Sequence, residues 1–177
     1  KDRFESQIQI AIAAYKAGAT ISMSIGFGGF DTHGNHDASH WPQMMELAHH
    51  VDFLWTEAER QGVADKMTMM LSSEMGRTPH YNSGNGKDHW SVTSAVLMGA
   101  GIPGNKIIGR TTSEVAALKI NPTTLETLPD PKDPNGIPVT PALVHWSLRN
   151  MAGVKESFKQ AFPIYPDPPG GVDLFKA

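Results

Sequence analysis

The sequence predicts an α/β fold, and three observations predict it. Amphipathic helical stripes alternate with short apolar or β-branched runs, and two of those runs open into polar, glycine-rich loops. The third is composition, which at 40% hydrophobic and 19% charged over 177 residues is ordinary for a chain with a packed core. One α/β domain spanning residues 1–177 is the expected organisation, with no internal repeat and no second boundary.

The elements follow in order. Over residues 2–16, Phe4, Ile8, Ala11, Ile12 and Tyr15 recur at helical spacing, and Gly18 follows as a stop. Residues 20–25 are short and partly β-branched and lead into Gly26-Phe27-Gly28-Gly29, which predicts a buried strand ending in a tight loop. Trp41, Met44, Met45, Leu47, Ala48, Val51, Leu54, Trp55 and Ala58 form a second helical stripe closed by Gly62. Residues 66–72 read as a second buried strand and residues 92–98 as a third, with a polar loop between them. This alternation is that of a sheet with crossover connections. Residues 121–141, rich in Pro, Asp and Thr, are expected to form an irregular surface excursion. Thr140-Pro141 predicts a capped helix start, with the helix running to Met151 before Gly153. The Pro-rich end is expected to be an extended tail on the surface.

Bulk charge narrows the partners. Fifteen Lys and Arg against eighteen Asp and Glu leave a net charge of -3, so there is no basic excess to hold nucleic acid or an anionic membrane. No apolar run is long enough to span a bilayer, and the first residues do not read as a signal peptide, so a soluble mature chain is expected. The start at Lys1 without Met implies an upstream segment. With zero cysteines, a metal would have to be held by His, carboxylate, carbonyl or water.

Seven of the eight histidines fall between His33 and His89. Ligands of open α/β sheets gather beyond the carboxyl ends of strands, so Asp31 and His33 after one predicted strand can meet Glu74 and His89 after the next. Imidazole mixed with carboxylate suits zinc, manganese or iron, and a metal so held can polarise a phosphoryl or sulfuryl oxygen. Arg77 offers a planar fork of donors to an anionic substrate. His36 and His40 decorate the same loop, with His36 a further candidate ligand. Simpler readings stand beside these. Asp31-Thr32-His33 suits an Asx-type turn, Glu74 and Arg77 suit a structural ion pair, and Asp88-His89 suits a polar loop end. His49 and His50 fall in the helix, as satisfied or solvated residues; His145 and the Met67, Met69, Met70 run suit structural packing.

The ordered motifs GGFDTHGN, MLSSEMGRTPHYN and GKDHWSVTSAVLMGAGIPGNKIIG resemble the DUF1501 family, bacterial proteins placed in the alkaline phosphatase and sulfatase superfamily. Its GGWDTH, SEFGRTP and GTDHG motifs occur in the same order, with Phe30, Met75 and Trp90 substituted here. The loops are also similar to the ADHGN and GTDHT loops of cofactor-independent phosphoglycerate mutases and phosphopentomutases. The resemblance implies the C-terminal portion of an alkaline-phosphatase-like three-layer sandwich. It implies one metal on Asp31, His89 and a nearby histidine, His33 or His36, and it puts Glu74 at a ligand position of a second metal. Met75 stands where those mutases have a histidine ligand, and a thioether is a poor ligand for harder metals. The nucleophile and an early Asp ligand are implied to come from strands upstream of Lys1, and an exported, periplasmic protein is implied. The expected function is metal-dependent hydrolysis of small phosphate or sulfate esters, with zinc or manganese. The alternative is a non-catalytic exported binding or assembly protein that keeps the fold.

Overall fold

Helix α1 (Arg3–Lys16) places Ile8 and Ile12 one turn apart, so both face the same side and both are buried. In the computed structural model, which describes residues 3–165 and 171–176, the chain divides into two compact units, Lys1–Ala100 and Gly101–Ala177. In the first unit Ile8 and Ile12 join Ala58 and Val63, with Phe4, Ile25, Phe53, Leu54, Ala64 and Met67 packed around them. Burial of each isoleucine contributes about 1.5–3 kcal/mol. Ala58 comes from helix α2 (His36–Arg60), and Met67 follows a short 3-10 turn, Ala64–Lys66.

The architecture is mixed α/β, with helices and two small antiparallel sheets among the described residues. Strand β1 (Thr68–Ser72) pairs with β4 (Ala95–Gly99) in the register Thr68↔Gly99 to Ser72↔Ala95. Between them, β2 (Gly76–Arg77) pairs with β3 (His89–Trp90), so the chain runs out through β1 and β2 and returns through β3 and β4. The tip of this long hairpin carries the polar loop. Gly99 is required where it stands: φ is +105°, and a Cβ would lie 2.2 Å from Met67 O. Trp55 Nε1 donates to Met98 Sδ at 3.0 Å, tying α2 to β4.

Two expectations change here. The strands at residues 66–72 and 92–98 form, at Thr68–Ser72 and Ala95–Gly99, but they pair antiparallel rather than through a crossover. Residues 20–25 do not form a strand; the segment is irregular and largely exposed, with Ile21 96% exposed. Its β-branched and apolar content gives it strand propensity, but a strand exists only against a ladder partner, and no described segment pairs with it.

Helix α2 begins five residues before the apolar stripe that predicts it. The opening turns, HDASH, carry no stripe, and Pro42 resembles a helix start because it lacks the donor that interior positions need. His36 and His40 therefore lie on a helix, not in a loop.

In the second unit, helix α3 (Pro141–Met151) starts as expected, with the Thr140 hydroxyl accepting from Leu143 N at 3.2 Å. Residues 121–141 are not merely a surface excursion. They fold back so that Ile120 exchanges two backbone hydrogen bonds with Ile137, 2.9 and 3.0 Å, and Leu128 N reaches Lys119 O. Ile120 and Leu143 are the centre of a core completed by Val172 and Leu174. The expected surface tail thus delivers two core residues; its residues 166–170 lie outside the described residues. A further short helix, α4 (Glu156–Ala161), follows α3. His145 is exposed on α3 rather than packed.

Ser147 is fully buried, and its hydroxyl donates to Leu143 O at 2.9 Å while accepting from Leu174 N at 3.0 Å. Ser147→Ala strands the Leu174 N–H away from water, which costs about 1–3 kcal/mol. Urea unfolding should show that loss, and a variant of unchanged stability contradicts this account of how the last segment is held.

Candidate metal centre

The polar tip of the hairpin is stitched to the chain around residue 33. Lys87 N donates to Thr32 O at 3.0 Å, Asn35 N to Gly84 O at 3.1 Å and His36 N to Asn85 O at 2.8 Å, and Gly34 bridges Asn85 antiparallel. Asn82 organises the turn. Its side-chain carbonyl accepts from Gly84 N and Gly86 N, both 2.9 Å, and its amide donates to His33 O and to Asp88 Oδ1. Gly86 lies so near that an added Cβ would be 1.9 Å from His33 O. Only glycine permits this approach. Asn35 and Asn85 both take left-handed backbone at the junction, φ 46° and 53°, which asparagine tolerates.

This stitching brings Asp31, His33 and His89 together. One ligand atom from each lies within 4.8 Å of the other two. His33 Nδ1 is 2.8 Å from Asp31 Oδ1, His89 Nε2 is 3.5 Å from the same oxygen, and the two rings lie 4.6 Å apart. Ligand atoms sharing one ion at about 2.0–2.2 Å stand roughly 3–3.5 Å apart, so small side-chain rotations suffice. The donor set, one carboxylate and two imidazoles, fits zinc or manganese. All three residues are exposed, so a cation held there would keep its other positions open to water.

Arg77 sits opposite His89 in the β2–β3 register. Its guanidinium is turned inward, donating to Phe30 O at 2.8 Å, Asp31 Oδ1 at 2.9 Å and Lys87 O at 3.0 Å. The expected fork toward substrate is thus committed to the protein, and the expected Glu74–Arg77 ion pair is replaced by Arg77–Asp31. The Arg77 hydrogen bond, working against a lesser desolvation and helped by His33 and His89, holds the Asp31 carboxyl below its ordinary range. Asp31 is ionised at neutral pH.

Glu74 is exposed in the connection between β1 and β2 and is not part of the converging group. His36 is also outside it. The His36 ring is buried on α2 with Nδ1 2.6 Å from Thr32 Oγ1, and it stacks on His40 at 4.4 Å. Burial, followed by the neighbouring charges of His40 for His36 and of Arg77 for His40, pushes both imidazoles down from the usual histidine value. His50 is buried between Phe4 and Phe27, with neither ring nitrogen hydrogen-bonded, and the exposed His49 lies 3.5 Å from Glu5. Neither Thr32 nor Asn82 stands out as a site residue in the sequence. The cluster Asn82-Ser83-Gly84-Asn85-Gly86 is nonetheless a turn signal of the Asx type, which could have marked Asn82 as the organiser.

A model of the family described as protein of unknown function (DUF1501) matches residues 2–130. The chain belongs to the DUF1501 family. The matched stretch of this DUF1501 chain includes Asp31, His33, Glu74, Arg77 and His89. No curated protein and no solved structure gave a match.

A histidine whose pKa is lowered on folding is more protonated in the unfolded chain, so stability rises with pH through that window. For His36 and His40 the window lies at and below about pH 6.5. Stability should therefore fall on acidification through pH 6, and the His36→Phe, His40→Phe double variant should lose part of that slope. An identical slope in both proteins, measured by denaturant unfolding across pH 5.5–7.5, contradicts this.

Proposed function

We propose that Asp31, His33 and His89 bind one divalent cation, zinc or manganese, and that the protein is a metal-dependent hydrolase of small phosphate or sulfate esters. One observation carries this reading: an ionised carboxylate and two imidazoles, delivered by two separate segments, point at a common, solvent-open spot. The motif order adds to it, through the resemblance to the alkaline phosphatase and sulfatase superfamily and its layered sandwich. That same resemblance is the ground for proposing an exported, periplasmic protein.

A cation held there would polarise an ester oxygen and lower the pKa of bound water. The chain's own residues supply the holding and the orientation. Asp31 brings the negative charge, and the Arg77 hydrogen bond holds its carboxyl below the ordinary range. His33 and His89 bring imidazole nitrogens, both facing Asp31 Oδ1. Glu74, outside the converging group, is left as a candidate for contacts made only when substrate or a second cation is bound.

A second reading, a non-catalytic exported binding or assembly protein that keeps the fold with at most one structural metal, is favoured by two placements. Arg77 is committed to Asp31 and backbone rather than to an open anion site, and Met75 offers only a thioether at the position next to Glu74.

The protein at full length should bind one zinc or manganese ion and hydrolyse an aryl phosphate or aryl sulfate. His89→Ala should weaken the metal by at least 10-fold and reduce turnover in proportion. Metal binding without hydrolysis selects the second reading; a protein that binds no metal overturns the first.

A further inference from the structure

Resting on the metal reading above, we propose that Arg77 is the positioning residue of the Asp31, His33 and His89 group, and that its role is geometric rather than electrostatic. The guanidinium touches both segments that carry ligands. On one side it holds Phe30 O, at the residue before Asp31, together with the Asp31 carboxylate itself. On the other it holds Lys87 O, two residues before His89, while the Arg77 backbone pairs with His89 across the β2–β3 ladder. A single planar group therefore ties the two segments directly behind Asp31 and His89, in addition to the backbone bonds around residues 33 and 86.

Exposure divides the labour. The Arg77 side chain is 16% exposed, whereas that of Asp31 is 77% exposed. The clamp lies sheltered beneath, and the ligands stand free in water. Arg77 engages Asp31 Oδ1, the same oxygen that faces His33 Nδ1 and His89 Nε2.

Geometry and charge make opposite predictions. A cation bound by one carboxylate and two neutral imidazoles carries a net positive charge, and a second positive group beside the carboxylate repels it. If charge governed, removing Arg77 would tighten metal binding. If geometry governs, removal loosens the two segments, and affinity falls as it does when groups supporting metal ligands are lost, about 10–100-fold. Lysine separates the two effects. It keeps the charge but presents a compact ammonium, which cannot reach three acceptors in the planar pattern of the guanidinium.

The test is zinc titration by calorimetry of the wild type, Arg77→Lys and Arg77→Met at one pH and ionic strength. Proton NMR proximity between the His33 and His89 rings is read in the metal-free proteins, and thermal melts run alongside. Both variants should lose about 10–100-fold in zinc affinity, and the ring-to-ring proximity should weaken. Arg77→Gln stands in for either variant that fails to fold, with the same loss expected. Zinc bound by Arg77→Met as tightly as by the wild type, or more tightly, overturns the proposal. A wild type that binds neither zinc nor, in a parallel titration, manganese refutes the metal reading instead. In that case the rings still decide for Arg77, since undiminished proximity in Arg77→Lys overturns its positioning role.

Discussion

Everything at the candidate centre depends on how closely the backbone at residue 33 approaches the backbone at residue 86. The two segments are 53 residues apart in sequence, and the hairpin of β1, β2, β3 and β4 carries the second to the first. The approach needs a position with no side chain, because a Cβ on Gly86 would lie 1.9 Å from His33 O. Once made, it is secured by backbone hydrogen bonds from Lys87, Asn35 and His36 and by the Asn82 side chain. The side chains of Asp31, His33 and His89 then meet because the chains beneath them are held, not because the side chains attract one another strongly.

That distinction follows from exposure. Ion pairs and charge-assisted hydrogen bonds standing in water contribute little net stability, so the contacts of His33 and His89 with Asp31 cannot hold two loops in place. Several of the holding groups are sheltered: Thr32 and His36 are buried, as is Thr78, which donates from its N–H to Asp88 O and accepts at its hydroxyl from Asp88 N, and Arg77 is largely so. Burial also explains why His36 lies outside the converging group. Its Nδ1 is engaged by Thr32, and its ring is stacked on His40 inside the first turns of α2.

Much of this was legible in the sequence, and the parts that were not have identifiable causes. Helices α1 and α3 announce themselves through periodicity and, at Thr140-Pro141, through a capping pair whose chemistry is local. The grouping of Asp31, His33 and His89 was legible because the motifs that carry them flank apolar runs. Local patterns say nothing of ladder partners, which is why residues 20–25 read as a strand and remain unpaired, and why β1 and β4 turned out antiparallel. The start of α2 was hidden by Pro42 and by a polar first turn held through tertiary contacts. Val172 and Leu174 looked like a tail because their burial depends on Ser147 and Ile120, which are remote in sequence. The inward turn of Arg77 was invisible for the same reason, since its acceptors lie at residues 30, 31 and 87.

The most direct test of the centre is X-ray absorption spectroscopy of the zinc-loaded protein. The account predicts a first shell with two imidazole nitrogens and a carboxylate oxygen at about 2.0–2.2 Å, reduced to one imidazole in His33→Ala and in His89→Ala alike. A first shell whose imidazole count is unchanged by either substitution would mean that zinc is held elsewhere, and would contradict the account.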